Sequence, residues 1–167
     1  IKPTQSIIFD MSRAIILLLL FVSSFSKVFE TEVTFTSFRR SNGWFFLTKM
    51  ILEQGQTNIN LKTSIRGVPF STLEPIELSV IQEENWQTEL NQKCASENNF
   101  QRLTQTLMAD GTPTTSQLIM EIDKKSTYYF VLRDCSQRLS KEYSNNNLFI
   151  NITLTILNNG SHLSADE

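Results

Sequence analysis

The chain has 167 residues, enough for one domain with a proper core and too few to expect two. A formal net charge of −2, with Lys and Arg scattered along the chain, leaves no basic patch and excludes nucleic acid as an expected partner. Twelve Phe against five Gly point to a packed chain.

Residues 1–10 precede Met11 and read as a non-native leader. Met11-Ser12-Arg13 is a short positive segment, residues 14–22 are an apolar run, and Ser24 and Ser26 sit at the two positions a signal peptidase inspects. The run is too short for a helix to cross a hydrocarbon core about 30 Å thick. A cleaved secretory signal over 11–26 is therefore expected, followed by one domain over 27–158. In the oxidising compartment this implies, Cys94 and Cys135 are expected to pair within the chain. Closing a loop of that size stabilises a fold by roughly 4 kcal/mol in the chain-entropy description.

The remaining pattern is one of strands. Val33 and Phe35 alternate with Thr34 and Thr36. Residues 39–43, ending in Asn42-Gly43, form a turn whose residues tolerate positive φ. The stretch 44–52 is apolar on both faces apart from Thr48 and Lys49, and predicts a central strand. After the turn at 53–56, Ile59, Leu61, Thr63 and Ile65 alternate with Asn58, Asn60, Lys62 and Ser64, so these two strands are expected to form a hairpin. Breaks at 67–69 and Glu74-Pro75 precede a short strand over 76–81. Trp86 and Leu90, four apart, predict a brief helix within 83–93. Phe100, Leu103 and Leu107 fit either helix or strand.

The run 109–113 is a strong turn, and Leu118, Met120 and Ile122 alternate as a strand. Residues 128–135, reading Tyr-Tyr-Phe-Val-Leu-Arg-Asp-Cys, are hydrophobic on both faces, which predicts a central strand covered on each side. Beyond a polar loop at 144–147, Leu148, Ile150, Ile152, Leu154 and Ile156 share one face of the last strand, with Asn151, Thr153 and Thr155 on the other. Seven or eight short strands at this spacing predict an all-β antiparallel sandwich with little helix.

Residues for chemistry are sparse, and an enzyme is not expected. The single histidine, His162, lies in the C-terminal tail and is poorly placed to serve as a catalytic base. Pairing of the two cysteines leaves no zinc ligand set, and no glycine-rich phosphate loop exists, so neither metal nor cofactor is expected. Glu83-Glu84 reads as solvated surface rather than a glycosidase dyad. The aromatic group Trp44-Phe45-Phe46 is expected in the core, with a ligand surface as its alternative. Two sequons, at Asn151 and Asn159, are candidate glycosylation sites, and Asn151 falls on the polar face of its strand.

Several of these motifs together resemble the intimal-thickness-receptor-like proteins. Residues 41–49, Ser-Asn-Gly-Trp-Phe-Phe-Leu-Thr-Lys, are similar to that family's W-x-F-L-T-[KR]-F strand. Trp86 before Cys94, and 128–132 leading to Cys135, resemble its paired positions. Residues 154–160 followed by 162–167 resemble its L-x-N-G…F-S-A-D-E link, with Leu163 where the family has an aromatic. The resemblance implies a GOLD-like luminal or extracellular sandwich, with 159–167 as a linker toward a seven-helix membrane domain. It implies an ectodomain that binds a protein or small ligand in receptor signalling of the pheromone-response type, grouped with G-protein-coupled receptors. A luminal trafficking domain of the Golgi and secretory route is the alternative, and a secreted carbohydrate-binding or carbohydrate-active sandwich a weaker one.

Overall fold

A computed structural model of the chain describes residues 26–34, 43–66, 74–90, 101–108, 110–136, 139 and 149–158. The leader and most of the signal, Phe35-Thr36, the turn before Gly43, the break at 67–69, Lys93, Cys94, Phe100, the loop at 144–147, Asn159, His162 and the rest of the tail lie outside the described residues.

Among the described residues the elements follow in the order β1 (Ser26–Thr34), β2 (Trp44–Leu52), β3 (Gly55–Arg66), β4 (Glu74–Gln82), α1 (Glu83–Leu90), β5 (Gln101–Leu107), β6 (Thr114–Ile122), β7 (Ser126–Arg133) and β8 (Phe149–Asn158). They make two four-stranded sheets, sheet A in the order β1-β8-β3-β6 and sheet B in the order β2-β7-β4-β5, with every pairing antiparallel. This is the expected all-β sandwich.

The period-two alternation decides which side chains meet between the sheets. Ile59, Leu61 and Ile65 of β3 and Ile150, Ile152, Leu154 and Ile156 of β8 are buried on one side, facing Leu78 and Val80 of β4 and Phe130 and Leu132 of β7 in one core. Each fully buried side chain of this kind contributes about 1.5–3 kcal/mol relative to exposure. On the reverse face of sheet A the same alternation leaves Asn58, Asn60 and Lys62 beside Asn151, Thr153 and Thr155. An antiparallel sheet tolerates that, because one face alone carries the apolar burial.

Three expectations are corrected by the fold. First, among the described residues β2 is an edge strand, paired within sheet B only with β7. Its apolar residues occupy both faces because the register with β7 shifts between Phe46 and Thr48. The extra residue resets the alternation, so Leu47 is buried before the shift and Met50 and Leu52 after it, while Phe46 turns outward. Such a bulge, with exposed Lys49 beyond it, also blunts a sheet edge.

Second, β2 and β3 do not form a hairpin. The chain crosses from sheet B to sheet A at Glu53-Gln54, and it crosses back between Ile122 and Ser126. The two crossings run side by side, since Leu52 pairs with Ser126 and Gly55 with Ile122. Lys125 Nζ sits 2.7 Å from Glu53 Oε1, and Asn158 Nδ2 donates to the Glu53 carbonyl at 3.1 Å. Third, β1 begins at Ser26 rather than Val33, because pairing with β8 runs without a break from Ser26 to Thr34. Lys27, Glu30 and Glu32 are acceptable there because β1 is an edge strand.

On the open side of the sandwich a polar clasp joins the sheets. Gln105 of β5, 2% exposed, donates through Nε2 to Thr63 Oγ1 at 2.6 Å and to the Thr114 carbonyl at 2.7 Å. The ambiguous segment around Leu103 is thereby a strand, with Leu107 and Gln105 inward. Gly43 and Gly111, each within an expected turn, take positive φ. Gly43 has φ 89°, and a Cβ there would stand 3.0 Å from the Asp134 carbonyl oxygen, which only glycine avoids. Gly111, at φ 77°, donates its amide to the Met108 carbonyl at 3.1 Å, and Asp110 Oδ1 accepts from the Thr112 amide at 2.9 Å.

Candidate functional site

The outer face of sheet B carries a group of aromatic and charged side chains in mutual contact. Since Tyr128, Phe130 and Leu132 point into the core, alternation puts Tyr129, Val131 and Arg133 of β7 on the opposite face, beside Glu77, Ser79 and Ile81 of β4. Helix α1 packs against β4 and β7 on this face, where Ser79, Ile81 and Val131 are buried. Glu83 and Glu84 in its first turn suit the positive end of a helix.

Trp86 of α1 stacks on Tyr129 with ring centroids 4.4 Å apart and planes 7° from parallel. Phe46 of β2 meets Trp86 edge-on at 6.3 Å and lies 6.4 Å from Tyr129. The Tyr129 hydroxyl donates to Glu83 Oε1 at 3.4 Å. Phe46 nevertheless remains 49% exposed. The aromatic group expected in the core is thus divided: Phe45 packs against the core, Phe46 is on the outer platform, and Trp44 covers Arg133.

Arg133 is fully buried. Its guanidinium carbon sits 3.8 Å from the Trp44 ring centroid, with Nη2 3.6 Å from Glu89 Oε2 and Nη1 4.0 Å from Glu77 Oε1. Ser79 Oγ donates to Glu77 Oε1 at 3.0 Å, and Arg102 Nε lies 3.7 Å from the same oxygen. Burial pushes the Arg133 pKa down, and the charges of Glu77 and Glu89 oppose that shift. This cluster joins side chains of α1, β4, β5, β7 and β2 beside the platform. Sequence reading did not find it. Its one visible trace is an arginine closing an otherwise apolar strand.

Asn151 is exposed on the outer face of sheet A, flanked in register by Glu32 of β1 and Ser64 of β3, with Thr153 on the same face. Cys135 lies just past the end of β7 on the surface, while Cys94 and Asn159 fall outside the described residues. Among the described residues, no three His, Cys, Asp or Glu side chains are placed to hold a metal ion. None of their helices is long and apolar enough to cross a membrane.

At the end of the sandwich where β6 passes into β7, Tyr128 is 7% exposed, and burial first, then the charges of Asp123 and Glu84, push its pKa above the ordinary 10.0. A raised folded-state pKa means that its stabilising contribution is present below about pH 10 and is lost as pH rises through the folded value. Thermal unfolding between pH 8 and about 11.5 is expected to show this alkaline loss, and Tyr128→Phe to reduce it. An unchanged alkaline limb in that variant would refute the assignment.

Comparison with protein-family models and with curated proteins finds no match to this chain.

Proposed function

We propose that this domain is a non-enzymatic, ligand- or partner-binding ectodomain on the extracellular or luminal side of a membrane, within a seven-helix receptor-like protein. The observation that carries the binding half is the platform on sheet B. Phe46 is a large aromatic held half-exposed against Trp86 and Tyr129, on a face fixed by α1 and the Arg133 cluster. Rigid aromatic anchors of this kind supply contact area at small entropic cost and dominate many interfaces. The membrane half rests on the resemblance of 41–49 and 154–167 to the intimal-thickness-receptor-like family. The same reading includes a Cys94–Cys135 disulfide and glycans at Asn151 and Asn159, which peptide mapping of secreted material under non-reducing conditions addresses.

The test uses full-length protein in membranes. Coding sequence beyond Glu167 is expected to contain seven apolar stretches of about 20 residues, and their absence would sink the receptor reading. Surface rather than Golgi residence of a tagged copy separates receptor from trafficking domain. Hydroxyl-radical labelling of Phe46 is expected to fall several-fold in the membrane-bound protein relative to the secreted domain. Phe46→Ala is expected to cost the fold less than about 1 kcal/mol. Equal labelling in both settings would remove the platform as the contact surface.

A further inference from the structure

We propose that Asn151 accepts its glycan only while β8 is unpaired, so that folding of the domain closes this acceptor site. The inference rests on the ectodomain reading, which brings the chain to the enzyme that transfers oligosaccharide to Asn-x-Thr sequences. Asn151 is exposed, but exposure of one side chain is not access to the chain around it. Asn151 and Thr153 project from the same face of β8, about 7 Å apart at the usual strand rise. A transferase that selects for both the amide and the hydroxyl has to enclose 151–153 from the sides as well as from above. In the folded domain both sides are occupied. Asn151 is in register with Glu32 and Ser64, Ile152 with Thr31 and Thr63, and Thr153 with Glu30 and Lys62. Between the two acceptor residues, Ile152 is 2% exposed and belongs to the core, so drawing the sequon out of the sheet pulls an isoleucine from between the sheets.

Opening β8 is not a local event. It breaks the ladders with β1 and β3 and exposes Ile150, Ile152, Leu154 and Ile156, all buried in one core. Such an opening costs close to the whole stability of the fold. The interval for transfer lies earlier. Both partners of β8 precede it in the chain, and pairing strands so far apart in sequence is slow. The product, by contrast, fits the folded state. A shallow depression of about 350 Å³ beside Asn151, with Glu30, Glu32 and Thr153 among its lining, leaves room for a first sugar over β1. In the transfer, Asn151 Nδ2 bonds to C1 of that sugar and the C1–O bond to a lipid diphosphate breaks. The diphosphate leaves with the electron pair, and a base of the transferase takes the amide proton. The fold thus admits the glycan and shuts out the enzyme that adds it.

Purified oligosaccharyl transferase and a lipid-linked oligosaccharide, added to the folded, unglycosylated chain carrying Asn159→Gln, test this by mass spectrometry of Asn151. Little modification is expected. Ile76 and Phe130 are buried in sheet B, so Ile76→Val and Phe130→Ala loosen the core without touching the sequon. They are expected to raise the initial rate several-fold and at least about a hundredfold, the rise in open population that each loss of buried side chain brings. A Phe130→Ala chain that fails to fold is expected to react fastest of all. Equal rates at Asn151 in the three proteins, or no reaction in Phe130→Ala, would each overturn the proposal. Purified components replace the cell, so the result does not depend on the chain's own route through it. A closed Asn151 in this assay, opened by Phe130→Ala, upholds the gate even where protein made in cells carries no glycan at either sequon, an outcome that refutes the ectodomain reading instead.

Discussion

Replacing Arg133 by Met is expected to lower the unfolding free energy by about 3 kcal/mol, because it strips the cation from a buried ion cluster while filling most of its volume. Glu89 is 3% exposed and sits 3.6 Å from the guanidinium, so in the variant its carboxylate would remain buried without that partner. Glu77 keeps Arg102 at 3.7 Å and is somewhat more accessible, which places the expected cost near the lower end for a broken buried pair. Adding Glu89→Gln to Arg133→Met is expected to recover more than half of the loss, since removing both charges together removes the uncompensated ion. Urea unfolding of the single and double variants measures both numbers. A single-variant loss below about 1 kcal/mol, or no recovery in the double, would show that the cluster does not anchor α1 as described.

Phe130→Ala is expected to cost about 3–5 kcal/mol, the transfer term for the ring plus the cavity it leaves. Phe130 is fully buried at the centre of β7, in register between Thr48 of β2 and Val80 of β4, and its ring faces the opposite sheet. Both neighbouring strands are held by backbone pairing, so the walls of the gap can relax only partly. A loss under about 1.5 kcal/mol by the same urea measurement would mean that the sheets close over the cavity. The contrast with Phe46→Ala is informative. These two phenylalanines differ by which face of sheet B they occupy, and only the buried one should matter to folding.

Much of the fold was legible in the residues because period two is a local property. The alternation of Ile59, Leu61, Thr63 and Ile65 against Asn58, Asn60, Lys62 and Ser64 reappears as alternating burial along β3. The isoleucines and Leu154 of β8 line one core face as the pattern requires. The doubly apolar β7 is central between β2 and β4, with the core on one side and α1 on the other. Gly43 and Gly111 sit where positive φ was needed. Pattern failed where two arrangements present the same alternation. The apolar stretch 44–52 was consistent with a central strand, yet a single inserted residue at the bulge lets an edge strand carry apolar side chains on both faces. The short link at Glu53-Gln54 fits a hairpin, yet it crosses between sheets, because partners for β2 and β3 come from β7, β6 and β8, far along the chain.

The candidate sites show the same division. By itself, the sequence determined that this is an antiparallel sandwich, that Asn151 faces outward, and that the stretch ending in Cys135 holds a central place, since each follows from the apolar or polar character of near neighbours. Only the tertiary structure decided that Phe46 leaves the core, that Arg133 meets Glu77 and Glu89 under α1, and that Asn151 and Thr153 lie between β1 and β3. Those groupings join residues from different strands and from the helix. The register that brings them together is set by long-range pairing, which no local periodicity encodes.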